Sequence, residues 1–249
     1  EMRFLRGHFY FLLKIMFKYV PYIDENLPVD QYQYVSNRAL TNDELWEKIA
    51  QDFDFAFRHL PESQPEIGRI NKYAAAAYLA KTYLYKAYRQ TEQNDVVEIN
   101  SEDLEKVLAY TQEAMNGPYD LEPDFGFNFL PGTYENGIES MFAIQFSKDD
   151  GTMFGRLNFA DFVSVPQGIG CCDFHKPSQN LVNAFKTARG LPMFDNYNMS
   201  DYNKDMNKAD PRLFHTVAMP GLPYKYNEDL IFQQAWNRDP AVYGNYASL

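Results

Sequence analysis

The stretch TNDELWEKIAQDFDFAFRHLP, residues 41–61, decides the fold class. Thr41 and Glu44 form an S/T-x-x-E capping box, in which two orphan backbone donors are satisfied reciprocally. Leu45, Ile49, Phe53, Ala56 and Leu60 then recur at the spacing that gathers one face of a helix. Pro61 lacks the N–H and the free φ that continuation requires, so the helix stops there. Trp46 adjoins the apolar stripe and is expected to pack between helices.

Working outward, the preceding segment carries Phe4, Leu5, Phe9, Leu12, Leu13, Met16 and Phe17 at helical spacing, ended by Pro21. Between the two helices, a Tyr- and Pro-containing loop runs from Tyr22 to Leu40. Downstream, Asn71 is a plausible N-cap for a helix bearing Ala74 to Ala77, then Tyr78, Leu79, Tyr83 and Ala87. Small residues on one face let a neighbouring helix approach closely. A polar insert spans Gln90 to Asn100. A fourth helix starts at Ser101, with Glu102 and Asp103 at its positive dipole end and Leu104, Val107, Leu108, Thr111 and Met115 along it. Gly117 is a natural residue for the turn after a helix, and Pro118 blocks continuation.

Beyond Gly117 the character changes. Gly, Pro, Asn and Asp become frequent. Met141 to Phe146 reads as a short apolar strand, and residues 148–177 as a long loop. Ser178 caps a short helix through Leu181, Val182 and Phe185 that ends near Gly190. Asp210 to Leu213 reads as a turn into an extended stretch, Phe214 to Met219. The expected fold is therefore mainly α: helix pairs over residues 1–117, which fit a tetratricopeptide-like pairing only if the polar insert is tolerated, and a loop-rich region, 118–249, with a few short strands. Loops on a rigid scaffold are where binding residues concentrate.

The 249 residues carry 34 Asp and Glu against 23 Lys and Arg, a formal charge of −11. That balance argues against nucleic acid, whose phosphates call for a basic footprint. Aromatic residues reach 16%, with 19 Tyr, a residue that suits half-wet binding surfaces. No apolar run approaches the ~20 residues that span a bilayer. The four His (8, 59, 175, 215) lack ligand spacing, so no metal or cofactor is expected. No P-loop, dinucleotide fingerprint or nucleophile elbow occurs. The plentiful acids, among them Asp149, Asp150, Asp161, Asp195, Asp201 and Asp205, read as solvated surface rather than as a glycosidase pair. The chain is thus expected not to be an enzyme. Adjacent Cys171 and Cys172 read as two free thiols, with a strained vicinal disulfide as the alternative, and Gly168 and Gly170 as plain loop glycines.

Several motifs in order resemble the SusD/RagB family. They are Glu1-Met2-Arg3-Phe4-Leu5-Arg6 with Tyr10-Phe11 and Val20-Pro21-Tyr22, Gly68-Arg69-Ile70-Asn71-Lys72 with Ala80-Lys81 and Tyr83-Leu84, and Gly117-Pro118-Tyr119-Asp120-Leu121. Glu139 to Phe146, Pro177 to Phe185 and Asp210-Pro211-Arg212-Leu213 follow. The resemblance implies a surface lipoprotein held on the outer leaflet of the outer membrane. It would cap a TonB-dependent, SusC-like transporter and capture a glycan or, in some relatives, a peptide. It also implies a longer precursor, whose lipid-bearing N-terminal part and final C-terminal helical motif lie outside this sequence.

Within that frame Arg3, Arg6, Arg69, Asp210 and Arg212 are expected to be structural, pairing carboxylates or anchoring loops. Ligand contacts are expected from Trp236 and Tyr197 first, then Phe162, Phe174, Tyr202, Asn196 and Asp195. Trp236 sits among Gln233, Gln234, Asn237, Arg238 and Asp239, and an indole among amides and carboxylates suits a pyranose, which offers a C–H face to stack and hydroxyls to bond. The same Trp would equally serve to pack its loop. Three functions stand: glycan capture, capture of an extended basic peptide, and a generic tetratricopeptide-type interaction module.

Overall fold

A computed structural model describes residues 1–146, 151, 163–202 and 205–249. The chain forms two compact units. The first comprises Glu1–Glu122 and Pro131–Gln145, the second Pro123–Leu130 and Phe146–Leu249. Residues 118–122 and 131–145, read from the sequence as part of the second region, thus pack with the helices.

The first unit contains four consecutive helices: α1 (Met2–Phe17), α2 (Asn42–His59), α3 (Lys72–Ala87) and α4 (Ser101–Met115). Each packs on the next. The capping box at Thr41 and Glu44 forms in both directions. Asn71 caps α3 through the Ala74 N–H at 3.0 Å, and Asn100 caps α4 through the Asp103 N–H at 3.0 Å. The predicted α2 stripe is buried from Leu45 to Ala56, Leu60 is half-buried just past the helix, and Trp46 packs against Phe11 and Tyr85.

Helix α1 differs from expectation. Its buried positions are Phe4, Gly7, Phe11 and Lys14, whereas Phe9, Leu12, Leu13, Met16 and Phe17 are exposed. The reason lies on α2: a Cβ at residue 7 would come within 3.1 Å of the Phe53 ring, so Gly7 lets the two backbones approach on that side. Phe4 then meets Phe53, Tyr78 and Phe142 edge-on at 5.0–5.5 Å between centroids. The fully buried Ala75 and Ala76 on α3 belong to its small-residue face. On α4, Leu104 and Val107 are half-buried, while Leu108, Thr111 and Met115 are exposed.

The polar insert is a β-hairpin, β1 (Tyr88–Gln90) with β2 (Val96–Ile99), antiparallel with Arg89 opposite Glu98. Gly117 is not left-handed. Its constraint is space, since a Cβ there would lie 2.7 Å from Cγ of Tyr73. Residues 141–146 form no strand: Met141 and Phe142 pack on the helical core, and the Ala143 N–H donates to the Gly68 carbonyl at 3.4 Å. Gly68 is left-handed at φ +81°, and a Cβ there would meet the Ala143 oxygen at 2.2 Å.

The second unit is built from short elements. They are α5 (Gln179–Ala184), β3 (Thr187–Ala188), β4 (Leu191–Pro192), α6 (Leu213–Thr216), β5 (Val217–Ala218), β6 (Pro223–Tyr224), β7 (Asn227–Ile231), α7 (Pro240–Tyr243) and β8 (Ala247–Ser248). Ser178 caps α5 as expected, but the chain leaves the helix after Ala184 and turns back through a hairpin. Arg189 and Gly190, both at positive φ, supply its two-residue turn. Residues 214–219 are likewise corrected: a helical turn comes first, and only Val217 and Ala218 are strand, paired with β8. Val182, Tyr202, Leu213, Val217 and Met219 form one small core, and Ala218, Tyr224, Phe232 and Ala247 another. Cys171 and Cys172, expected as thiols, are joined as a vicinal disulfide.

Candidate ligand-binding site

The motif arginines form the firmest polar cluster of the first unit. Arg6 grips the Asp52 carboxylate with Nε at 2.7 Å and a terminal nitrogen at 2.6 Å, and Arg3 adds a bond of 3.4 Å. Glu25 accepts from both arginines. Tyr22 donates to Asp52 at 3.3 Å, and the Arg6 guanidinium lies over its ring. The hydrogen bonds from Arg6 to Asp52 outweigh desolvation and hold the Arg6 pKa well above its ordinary value. The cluster ties α1, the loop after it and α2 around a carboxylate that is 1% exposed, and all its groups are engaged with one another. Arg69 pairs with Glu66 and Glu1. In the second unit Arg212 closes a two-bond fork on Asp210, and the Asp210 N–H donates to the Phe185 carbonyl at 2.7 Å. The Arg212 hydrogen bonds draw the Asp210 pKa below its ordinary value.

The aromatic residues expected at the ligand fall into separate places. Trp236 is half-buried, edge-on to Tyr224 and Phe232 at 6.3 and 5.7 Å. Its carbonyl accepts from the Gly168 N–H at 2.8 Å, and a Cβ at Gly168 would lie 2.8 Å from the Trp236 Cα. Gly168 is therefore more than a loop glycine: its missing side chain lets the two loops touch. Phe174 is 49% exposed, with the Arg238 guanidinium 5.5 Å from its ring centre and 4.4 Å from that of Tyr243.

What joins Trp236 and Phe174 is a buried polar knot between them. The Asp173 carboxylate is fully buried and takes both its oxygens to Lys176 Nζ at 2.9 Å. It also accepts the backbone N–H of Arg238 at 2.6 Å, while Lys176 donates to Asn237 at 2.8 Å. Two loops of different sequence position are thereby locked, and an indole, a phenyl and a guanidinium are presented on them. Asp173, Lys176 and Tyr243 were missed in the sequence, and Asn237 and Arg238 were read only as the polar surroundings of Trp236. The available signal was the i, i+3 Asp–Lys pair beside Phe174; its partner 61 residues away carried none.

Tyr197 is half-buried, while Asp195 and Asn196 are exposed. Their loop is anchored differently, through Asn183, which donates to Asn198 at 2.8 Å and Asp201 at 3.2 Å. Tyr202 is 7% exposed within the core around Val182; its ring is a packing element and offers no face to a ligand. Phe162 lies outside the described residues, as do Asp149, Asp150 and Asp161. Among the described residues no group of three His, Cys, Asp or Glu side chains could hold a metal ion, and no helix is long and apolar enough to cross a membrane.

Residues 1–84 match the family described as SusD-like, "starch-binding associating with outer membrane". A crystal structure of a SusD-like protein from Bacteroides fragilis shares the fold over 99% of this chain, with a TM-score of 0.70 at 19% identity. The helical part of the chain is thus similar to the SusD-like family, and the whole chain shares the fold of a SusD-like protein. It spans about half the length of that solved relative, 49% of its chain. No curated protein matches it. Helices α1 and α2, most of α3 and the Arg3–Arg6–Asp52 cluster lie within the matched span; α4 and the Trp236 and Phe174 loops lie beyond it.

Proposed function

We propose that this chain is part of a non-enzymatic capture protein of the outer-membrane surface. It binds glycan oligosaccharides and hands them to a SusC-like TonB-dependent transporter, with anchoring by an N-terminal lipid. The observation that carries the reading is the Trp236–Phe174–Arg238 patch, fixed from beneath by Asp173 and Lys176. Rings held in advance lose little freedom on stacking against a sugar face, and the nearby Gln234 and exposed Asp239 supply groups for hydroxyls. The family description, with its starch binding and its outer-membrane association, supports the same assignment.

Calorimetric titration with a panel of plant and host oligosaccharides tests it, with each mixture assayed for products. Saturable binding to one glycan, weakened at least tenfold by Phe174→Ala and accompanied by no hydrolysis, is the expected result. Binding unchanged in Phe174→Ala removes the site, and hydrolysis removes the capture reading. Binding of extended basic peptides with silence toward glycans would favour peptide capture, which the −11 charge also suits.

A further inference from the structure

The first unit holds a cavity of about 290 Å³, lined by Lys14 of α1, Lys18 just after it, Asn42 and Trp46 of α2, Tyr85 of α3 and Asn94 of the β-hairpin. Its charge is unusual for an acidic chain. Lys14 is 3% exposed, yet its ammonium meets no carboxylate: it donates to the Lys18 carbonyl at 3.0 Å and the Asn42 amide at 2.7 Å and lies 4.8 and 5.9 Å from the ring centres of Trp46 and Tyr19. An ammonium has three donors, so among the described residues one remains without a hydrogen-bond acceptor. Lys18 likewise donates to the Thr91 carbonyl and the Asn94 amide. The neighbouring carboxylates are engaged elsewhere: Asp43 with Arg89 at 2.9 Å, Glu92 with Arg38 at 3.2 Å. A buried charge ordinarily recruits a carboxylate, and here none of the chain's own is in place.

The backbone is bent to build this arrangement. Lys18 has φ +63° and ψ −52°, and the Tyr19 N–H donates to the Phe17 carbonyl at 2.7 Å. That is a γ-turn of the rare, strained form, and it turns the Lys18 carbonyl onto the Lys14 ammonium. Strain of this kind persists where a site needs it.

We propose that this cavity is a binding subsite for an acidic sugar, a hexuronate residue whose carboxylate is taken by Lys14 and Lys18. The volume suits one pyranose ring. The half-exposed ring of Tyr85 offers a stacking wall, and the Asn42 and Asn94 amides border the space where hydroxyls would lie. The proposal rests on the glycan reading above and sharpens it by naming a charged sugar class, at a place separate from the Phe174 patch.

The test uses the 249-residue chain carrying Trp236→Phe, so that Trp46, 4.8 Å from Lys14 Nζ, is the sole indole reporter. Trigalacturonate is expected to change the Trp46 emission saturably, while the neutral galactose trimer and sodium acetate do not. Lys18→Gln and Tyr85→Ala should each weaken trigalacturonate binding at least tenfold, with the unliganded emission of Lys18→Gln unaltered. An unresponsive Trp46, equal binding by Lys18→Gln, or equal binding of acetate would overturn the subsite. The Phe174→Ala calorimetry reads the other patch, so loss of one reading is distinguishable from loss of the other.

Discussion

Arg6 and Asp52 face each other across α1 and α2 in a two-pronged ion pair, 2.7 and 2.6 Å, with the carboxylate sealed from water. Such geometry repays desolvation only while both partners are present. Arg6→Met is therefore expected to lower stability by about 3 kcal/mol, the scale for orphaning a buried charge. Replacing both, as Arg6→Met with Asp52→Leu, should recover part of that loss. Denaturant unfolding of the two variants decides; equal loss in both would mean that the charge is not what matters.

Gly117 is required for its lack of a Cβ beside Tyr73, not for a left-handed backbone. Gly117→Ala should cost about 1–3 kcal/mol, as overpacking does, and Gly117→Asn should cost more because it is larger. A left-handed cap would show the opposite order, since Asn tolerates that conformation. The ranking of the two melting midpoints separates the explanations.

Burial lowers the Lys14 pKa from 10.5 to about 8, with Asp43 opposing and Lys18 assisting. The folded state thus releases this proton before the unfolded chain does. Between about pH 8 and 10.5 the unfolded state holds more protons, so this group makes stability rise with pH, by about 1.4 kcal/mol per unit. The Tyr22 and Tyr83 phenols, held up by burial, pull the other way only above their ordinary value of 10.0. Measured from pH 7.5 to 9.5, the parent chain should gain about 2 kcal/mol relative to Lys14→Met. Parallel curves would show that Lys14 keeps its proton.

Asp173→Asn keeps the shape of the knot beneath Trp236 and Phe174 but leaves the Lys176 ammonium without its counter-charge. The expected loss is about 3 kcal/mol, together with weakened glycan binding although no ligand-facing side chain has changed. Calorimetry beside unfolding checks it; full binding in a destabilised variant would detach the knot from the site.

Local chemistry determined much of the helical unit. The Thr41 and Glu44 box, the Asn71 and Ser178 caps and the stop before Pro61 depend on neighbours within a few residues, and each formed where its residues stand. The ordered motifs also carried the resemblance to the SusD/RagB family, in keeping with the match over residues 1–84. Other features were decided by partners far along the chain. The apolar residues of α1 could not say which would be inside; Gly7 and the Phe53 ring on α2 chose Phe4 and Phe11. Arg89 and Glu98 paired in a hairpin where polarity suggested a loose insert, although the run Val96-Val97-Glu98-Ile99 carried a β signal. Tyr202 and Phe174 look alike in sequence, yet one is core and the other surface. Aromatic residues gain from burial and from display alike, so only the tertiary packing around each ring assigns its role.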